Sequence, residues 1–288
     1  MRALAQFVMR GPLQAAGVAV VTMAVPLLFW IGAAVVGLVT LRLGLKQGLN
    51  IGIWAVLPAL GWAIAGGDPT ALAVLILVFV MSAVLGITFS WERSLVVGSA
   101  LTLIIGFLLP LLYPGLLDQL VQAGVSFYEQ YNPEVAQELG GQLESAVRQT
   151  MNASMAGAFL MTAIALTMLS RSWQAKLYNP GGFREEFHSF RLSGPVATLS
   201  VVAMVGGPLL DLNSVLIVWV AGTPLVIAAI ALVHGLVGRR GMGVQWLVMF
   251  YIALLILGPS LLLVLVVLAF VDSWLDIRRR IKPAGPAE

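Results

Sequence analysis

Cysteine is absent from the chain, which excludes disulfides, thiolate nucleophiles and cysteine-based metal sites. Charge is almost as scarce. Of 288 residues, 10% are Asp, Glu, Lys or Arg and 60% are hydrophobic, with a mean hydropathy of +0.98. A soluble domain carries about 25% charged residues, so this composition does not fit inside one water-soluble core. Only two histidines occur, His188 and His234. The catalytic signatures are also missing: there is no Walker A loop, dinucleotide glycine fingerprint, His-Glu-x-x-His or Gly-x-Ser-x-Gly. These gaps argue against an enzyme and leave no residue to assign as catalytic, cofactor-binding or metal-ligating.

What the chain has instead is long runs without charge. Eight hydrophobic blocks separate Arg10 from Arg42, Lys46 from Asp68, Asp68 from Glu92, Arg93 from Asp118, Arg148 from Arg171, Arg191 from Asp211, Asp211 from Arg239 and Arg240 from Asp272. About 20 residues of helix cross the roughly 30 Å hydrocarbon layer of a bilayer. Backbone groups in hydrocarbon must be paired within the segment, so such runs imply helices. The expected fold is an all-α, polytopic integral membrane bundle of one domain over 1–288. The basic lead before Arg10 does not read as a cleavable signal peptide, because the apolar stretch behind it is too long. The N-terminus is expected to stay with the mature chain.

Lysine and arginine set the expected orientation. Fifteen of the 16 basic residues fall in alternate connections, among them Arg2, Arg42, Arg93, the group Arg171 to Arg191, and Arg278 to Lys282. Only Arg148 falls in the other set of connections, at 66–69, 113–148 and 207–213. If the basic set is cytoplasmic, the first and last blocks, each 31 residues long, must cross an even number of times. Pro26 breaks the first and Gly258-Pro259 the second, and proline removes a helical hydrogen bond. Both blocks then read as hairpins, giving eight to ten helices with both termini in the cytoplasm of a bacterial inner membrane. The alternative is a single kinked helix in each, which places the termini outside. The other expected spans are 51–65, 71–89, 95–112, 151–169, 195–205 and 215–237, the fifth short and running into Gly206-Gly207-Pro208.

Two connections are large. Segment 113–150 holds Asp118, Glu129, Glu134, Glu138 and Glu144, and Asn132-Pro133-Glu134 has the form of a helix start. Val135, Leu139, Leu143 and Val147 then mark one apolar face. This external amphipathic helix reads either as a lid or as an interfacial helix resting on headgroups. Segment 171–193 mixes four basic residues with Trp173, Tyr178, Phe183, Phe187 and Phe190, which suits anionic lipid headgroups or a cytoplasmic partner. The basic tail, 277–288, and the sequence pI of about 9.5 have the same explanation. Nucleic-acid binding is not inferred.

No acid or base lies in the middle of any span, which argues against a carboxylate-based pump. Candidates for a polar solute pocket are Asn152 and Ser154 on one helix, and Asp211, Asn213 and Ser214 beside the break at Pro208. Ordinary helix capping explains the same residues. Small residues, Ala15 and Ala19 or Gly32, Ala33 and Gly37, would let helices approach closely.

Two segments carry a family resemblance. Leu232-Val233-His234-Gly235-Leu236 with Arg239-Arg240-Gly241, followed after the apolar run by Val271-Asp272-Ser273-Trp274-Leu275-Asp276-Ile277-Arg278-Arg279, resembles the C-terminal region of the YybS-like family of predicted bacterial membrane proteins. Leu41-Arg42-Leu43-Gly44-Leu45-Lys46-Gln47-Gly48 resembles that family's basic turn after its first helical hairpin. His234 stands where a glutamine is expected, so no role is carried over to it. The family is distantly similar to the substrate-capturing membrane subunits of energy-coupling-factor transporters, which bind vitamins or metal ions and need separate ATPase and coupling subunits. The resemblance therefore implies a small-solute binding or transport component lacking its own ATPase, with Ala15 and Ala19 on a coupling face. The other expectation is a non-transporting scaffold or regulator of a membrane partner, with a tightly packed bundle and no outward-opening polar cavity.

Overall fold

A computed structural model describes residues 2–209 and 212–280. Among the described residues there is no strand. The helices are α1 (Arg2–Val8), α2 (Pro12–Ala24), α3 (Phe29–Leu43), α4 (Leu45–Ala65), α5 (Thr70–Thr88), α6 (Trp91–Leu112), α7 (Pro114–Tyr131) and α8 (Pro133–Leu139). They continue with α9 (Leu143–Tyr178), α10 (Gly182–Ser189), α11 (Gly194–Gly206), α12 (Ser214–Arg239), α13 (Gln245–Leu257), α14 (Pro259–Leu275) and α15 (Ile277–Arg280). Six helical segments are long and apolar enough to cross a membrane, and α10 with α11, bent by 63°, forms a seventh candidate. This is compatible with a multi-pass membrane protein. Three further apolar helices, α2, α13 and α14, are shorter; α2 and α13, with 13 residues each, rise only about 20 Å.

Both terminal blocks double back. Val25 is extended before Pro26 (φ −103°, ψ 115°), the conformation proline imposes on its predecessor. The return lays Gly32 of α3 against Ala19 and Met23 of α2, and the start of α2 lies beside the end of α3 around Ala15, Val39 and Leu43. In the last block Gly258 takes φ +48°, a left-handed setting that glycine adopts without a Cβ clash. Tyr251 on α13 meets His234 on α12, and past the end of α14 Arg278 reaches His188. Both arms therefore end beside the same end of α12. Pro58, Pro110 and Pro224 sit inside α4, α6 and α12 without ending them, as membrane helices tolerate.

Several boundaries differ from the sequence expectation. The span expected from 51 begins at Leu45, because the turn at Gly44 is tight and Lys46 and Gln47 are helical at its edge. The span expected at 151–169 is part of α9, a 36-residue helix rising about 54 Å. The acidic segment is a helical hairpin in which Leu117 and Val121 of α7 pack on Leu143 and Val147 of α9. Asn132 precedes α8 but makes no side-chain cap bond. Ala15 and Ala19 are buried in the α2–α3 contact, so the close approach they permit lies inside the chain and no coupling face is left there for a partner.

At the centre, a Cβ on Gly37 of α3 would lie 2.5 Å from Ser170 Oγ and 3.0 Å from Ser82 Oγ. Ser170 also donates to Ala34 O at 2.8 Å, tying α9 to α3. Replacing Gly37 with valine is expected to destabilise the protein by about 1 to 3 kcal/mol, measured as a lowered thermal unfolding midpoint in detergent.

Candidate functional site

The two ends of the bundle differ in charge. One end collects the α3–α4 and α5–α6 turns, the end of α9, α10, the α12–α13 turn and α15. Cross-links at this end include Gln174 to Leu41 O at 3.0 Å, the Arg42 guanidinium 3.9 Å over the Tyr178 ring, and the Glu92 carboxylate accepting from the Ser193 backbone N–H. The other end carries the α7–α9 hairpin and its acids. Arg148, the basic residue placed there, is bound by Asp118 at 2.7 Å and Glu144 at 3.1 Å. The exception to the charge bias is thus locally neutralised.

On the basic end α10 is held from several sides. Arg171 of α9 pairs with Glu186. Phe183 packs against Trp91 of α6, ring centroids 6.2 Å apart. Against α12 the approach is closest: a Cβ on Gly235 would fall 2.5 Å from His188 O, and one on Gly238 2.8 Å from the His188 ring. Trp173 and Phe190 are buried. Of the five aromatics expected at headgroups in this segment, only Tyr178 is exposed, because α10 turns its apolar side inward.

The turn from α14 into α15 closes the site. After α14, Asp276 takes a left-handed conformation and directs Arg278 back into the protein. Its side chain is 6% exposed and pairs with Asp272, 3% exposed, at 3.3 Å. Arg278 Nη1 donates to His188 O at 3.0 Å, Arg239 donates to Arg278 O, and Asp272 Oδ1 accepts the Ile277 N–H at 2.8 Å. Arg278 Nε is buried without a partner. The expectation for the basic tail is contact with headgroups or a cytoplasmic partner; Arg278 instead turns into the protein, and residues 281–288 lie outside the described residues.

Between α10, α12 and α15 lies a cleft of about 800 Å³, lined by Arg184, Arg191, Arg239, Arg278 and Arg279 against the two acids Glu185 and Asp276. Asp276 already serves Arg279 at 3.0 Å and Arg191 at 3.8 Å. The remaining guanidinium capacity favours an anion, and arginine forks match phosphate oxygens. Half-buried His188 has its pKa lowered by burial first, then by Arg184, His234 and Arg278, which favours its neutral form. No group of three or more His, Asp or Glu side chains suited to a metal occurs among the described residues.

The residues singled out as a solute pocket are placed elsewhere. Asn152 is buried at the opposite end, its Nδ2 donating to Gly106 O at 3.0 Å and its Oδ1 unpartnered. Asn213 caps α12 through Leu216 N and donates to Gln149 O, which brings it within a turn of Asn152 along α9. Ser214 is half-buried at the start of α12, and Ser154 points outward from α9. Asp211 lies outside the described residues. Nearby, a smaller cleft of about 450 Å³ lies between α7 and α9, lined by Gln122, Ser126 and the Arg148 cluster.

Comparison with protein-family models, curated proteins and solved structures finds no match.

Two outcomes test the site. Asp272→Ala leaves Arg278 as an uncompensated buried charge, so a loss of about 3 to 5 kcal/mol is expected, seen in thermal or denaturant unfolding. The pKa of His188 is lower in the folded protein than its unfolded value near 6.5, so its neutral form contributes full stability above that pH. That contribution is lost as pH falls through 6.5 toward the folded value. His188→Gln is expected to shrink the drop in unfolding midpoint between pH 7.5 and 5.5, measured in parallel with wild type.

Proposed function

We propose that this chain is a multi-pass protein of the bacterial cytoplasmic membrane that binds a small anionic ligand at its cytoplasmic face, a binding or transport component with no ATPase of its own. The observation that carries this reading is the arginine-lined cleft beneath α10. Arg278 lines that cleft with its Nε buried and unpartnered, and a buried unsatisfied donor is costly. The lack of an ATP-binding motif fits a component whose cargo movement depends on ATPase or other membrane partner subunits, as the resemblance to energy-coupling-factor substrate subunits implies. The distribution of lysine and arginine supports cytoplasmic termini.

A second reading, a non-transporting scaffold for a membrane partner, is favoured by close packing between spans. A Cβ on Gly98 would lie 2.8 Å from Met81 Sδ, and one on Gly106 2.7 Å from Leu216.

The test has two parts. The natural absence of cysteine allows single reporters: Ala3→Cys and Gly241→Cys are expected to resist an impermeant thiol reagent added to intact cells, while Gly67→Cys and Gln122→Cys react. Inorganic phosphate is then expected to raise the unfolding midpoint of the detergent-purified protein, and Arg184→Gln with Arg279→Gln to remove the rise. Reagent access to Ala3→Cys overturns the orientation. No phosphate effect, together with a stoichiometric co-purifying protein, favours the scaffold.

A further inference from the structure

The cleft does not end at its arginines. A second cavity of about 480 Å³ adjoins it and shares Arg184 and His188. Its walls are apolar: Ala165, Met168 and Leu169 on α9, Phe183 and Phe187 on α10, with Tyr251 of α13 opposite. The groove exists because α13 stands off from the bundle. No residue of α13 is buried, only Phe250 and Leu254 pack partly against the core, and the Tyr251 hydroxyl meets His234 Nε2 at 2.9 Å near its base. A basic recess at the end of the spans thus continues directly into an apolar slot running along them.

A water-soluble anion needs the recess alone. The slot adds nothing to its binding, and an apolar slot beside cations suits a ligand with a phosphate at one end and hydrocarbon at the other. Basic pockets between membrane helices at the cytoplasmic level hold lipid headgroups by this arrangement. We infer that the site takes one anionic glycerophospholipid, its phosphate held by Arg184, Arg278 and Arg279 and an acyl chain lying in the slot between α9 and α13. This rests on the reading of the cleft as an anion site. Arg278 supplies the fixed positive charge, since Asp272 and His188 O hold its guanidinium in place. Arg184 and Arg279 are exposed at the rim, where they adapt to the headgroup. Glu185 and Asp276 set a preference for a headgroup that does not add further negative charge near them, such as a glycerol ester.

Native mass spectrometry of the full chain in mild detergent tests the inference with phosphatidylglycerol and phosphatidylcholine as probes. Phosphatidylglycerol is expected to be retained one to one, about tenfold or more over phosphatidylcholine. Arg184→Gln with Arg279→Gln is expected to lower that retention about tenfold. Ala165→Trp fills the slot from an exposed position, and is expected to cut phosphatidylglycerol retention about fivefold while the thermal shift with inorganic phosphate is unchanged. Arg148→Gln, at the far end, is expected to change neither. Equal retention of the two lipids, or full retention in the Ala165→Trp variant, overturns the lipid inference; a persisting phosphate shift then leaves the anion site standing. Loss of both the lipid preference and the phosphate shift overturns both.

Discussion

Nine consecutive residues of α3, Gly32 through Thr40, are buried, and the rest of the bundle is arranged around that fact. A helix enclosed on all sides needs its neighbours at close range, and none of the ion pairs among the described residues reaches it. Contact is made instead by shape and by short hydrogen bonds. Ala15, Ala19 and Met23 bring α2 in on one side, Ser82 and Ser170 meet Gly37 on another, and Thr40 meets Gly48. Polar groups in these contacts are modest hydroxyls that mostly return to backbone carbonyls, as Thr40 does to Val36 O and Ser170 to Leu166 O. The core is therefore tight and almost without charge.

Charge is deferred to the ends, where it does two different jobs. At the acidic end Arg148 closes an exposed hairpin with Asp118 and Glu144, an arrangement worth little in water. At the basic end Asp272 and Arg278 form their pair almost entirely out of solvent. A buried pair of this kind is a poor source of net stability but a strong constraint on geometry once made. It fixes where the chain turns after α14, and it holds α10 down through His188 O.

Composition and lysine–arginine spacing were enough to read the helical class, the breaks at Pro26 and Gly258-Pro259 and the grouping of basic segments, because each follows from local rules about hydrocarbon and proline. Helix ends were less legible. Lys46 is helical although charged, and α9 runs through Arg148 and Arg171 because charged residues at the rims of a long helix meet solvent or partners without breaking it. The cleft was the least legible part. Its groups come from 184–191, 235–239 and 272–279, which sequence spacing cannot bring together. One local signal was present: Gly235 and Gly238, three apart beside His234, mark a helix face made for close approach. Arg278 stood out in the sequence as part of a basic tail and not as the buried partner of Asp272, and the aromatics of 171–193 suggested headgroups when most of them pack inward.

The length of α9 has a mechanical consequence. Its 36 residues contain no proline and a single glycine, Gly157, so it has no hinge at which to absorb a bend. One end is fastened to the acidic hairpin through Arg148 and Val147, the other to α10 through Arg171. It is a stiff strut, tied to α3 where Ser170 meets Ala34 O, and its length sets the separation between the acidic hairpin on one side of the bundle and the lip of the arginine cleft on the other.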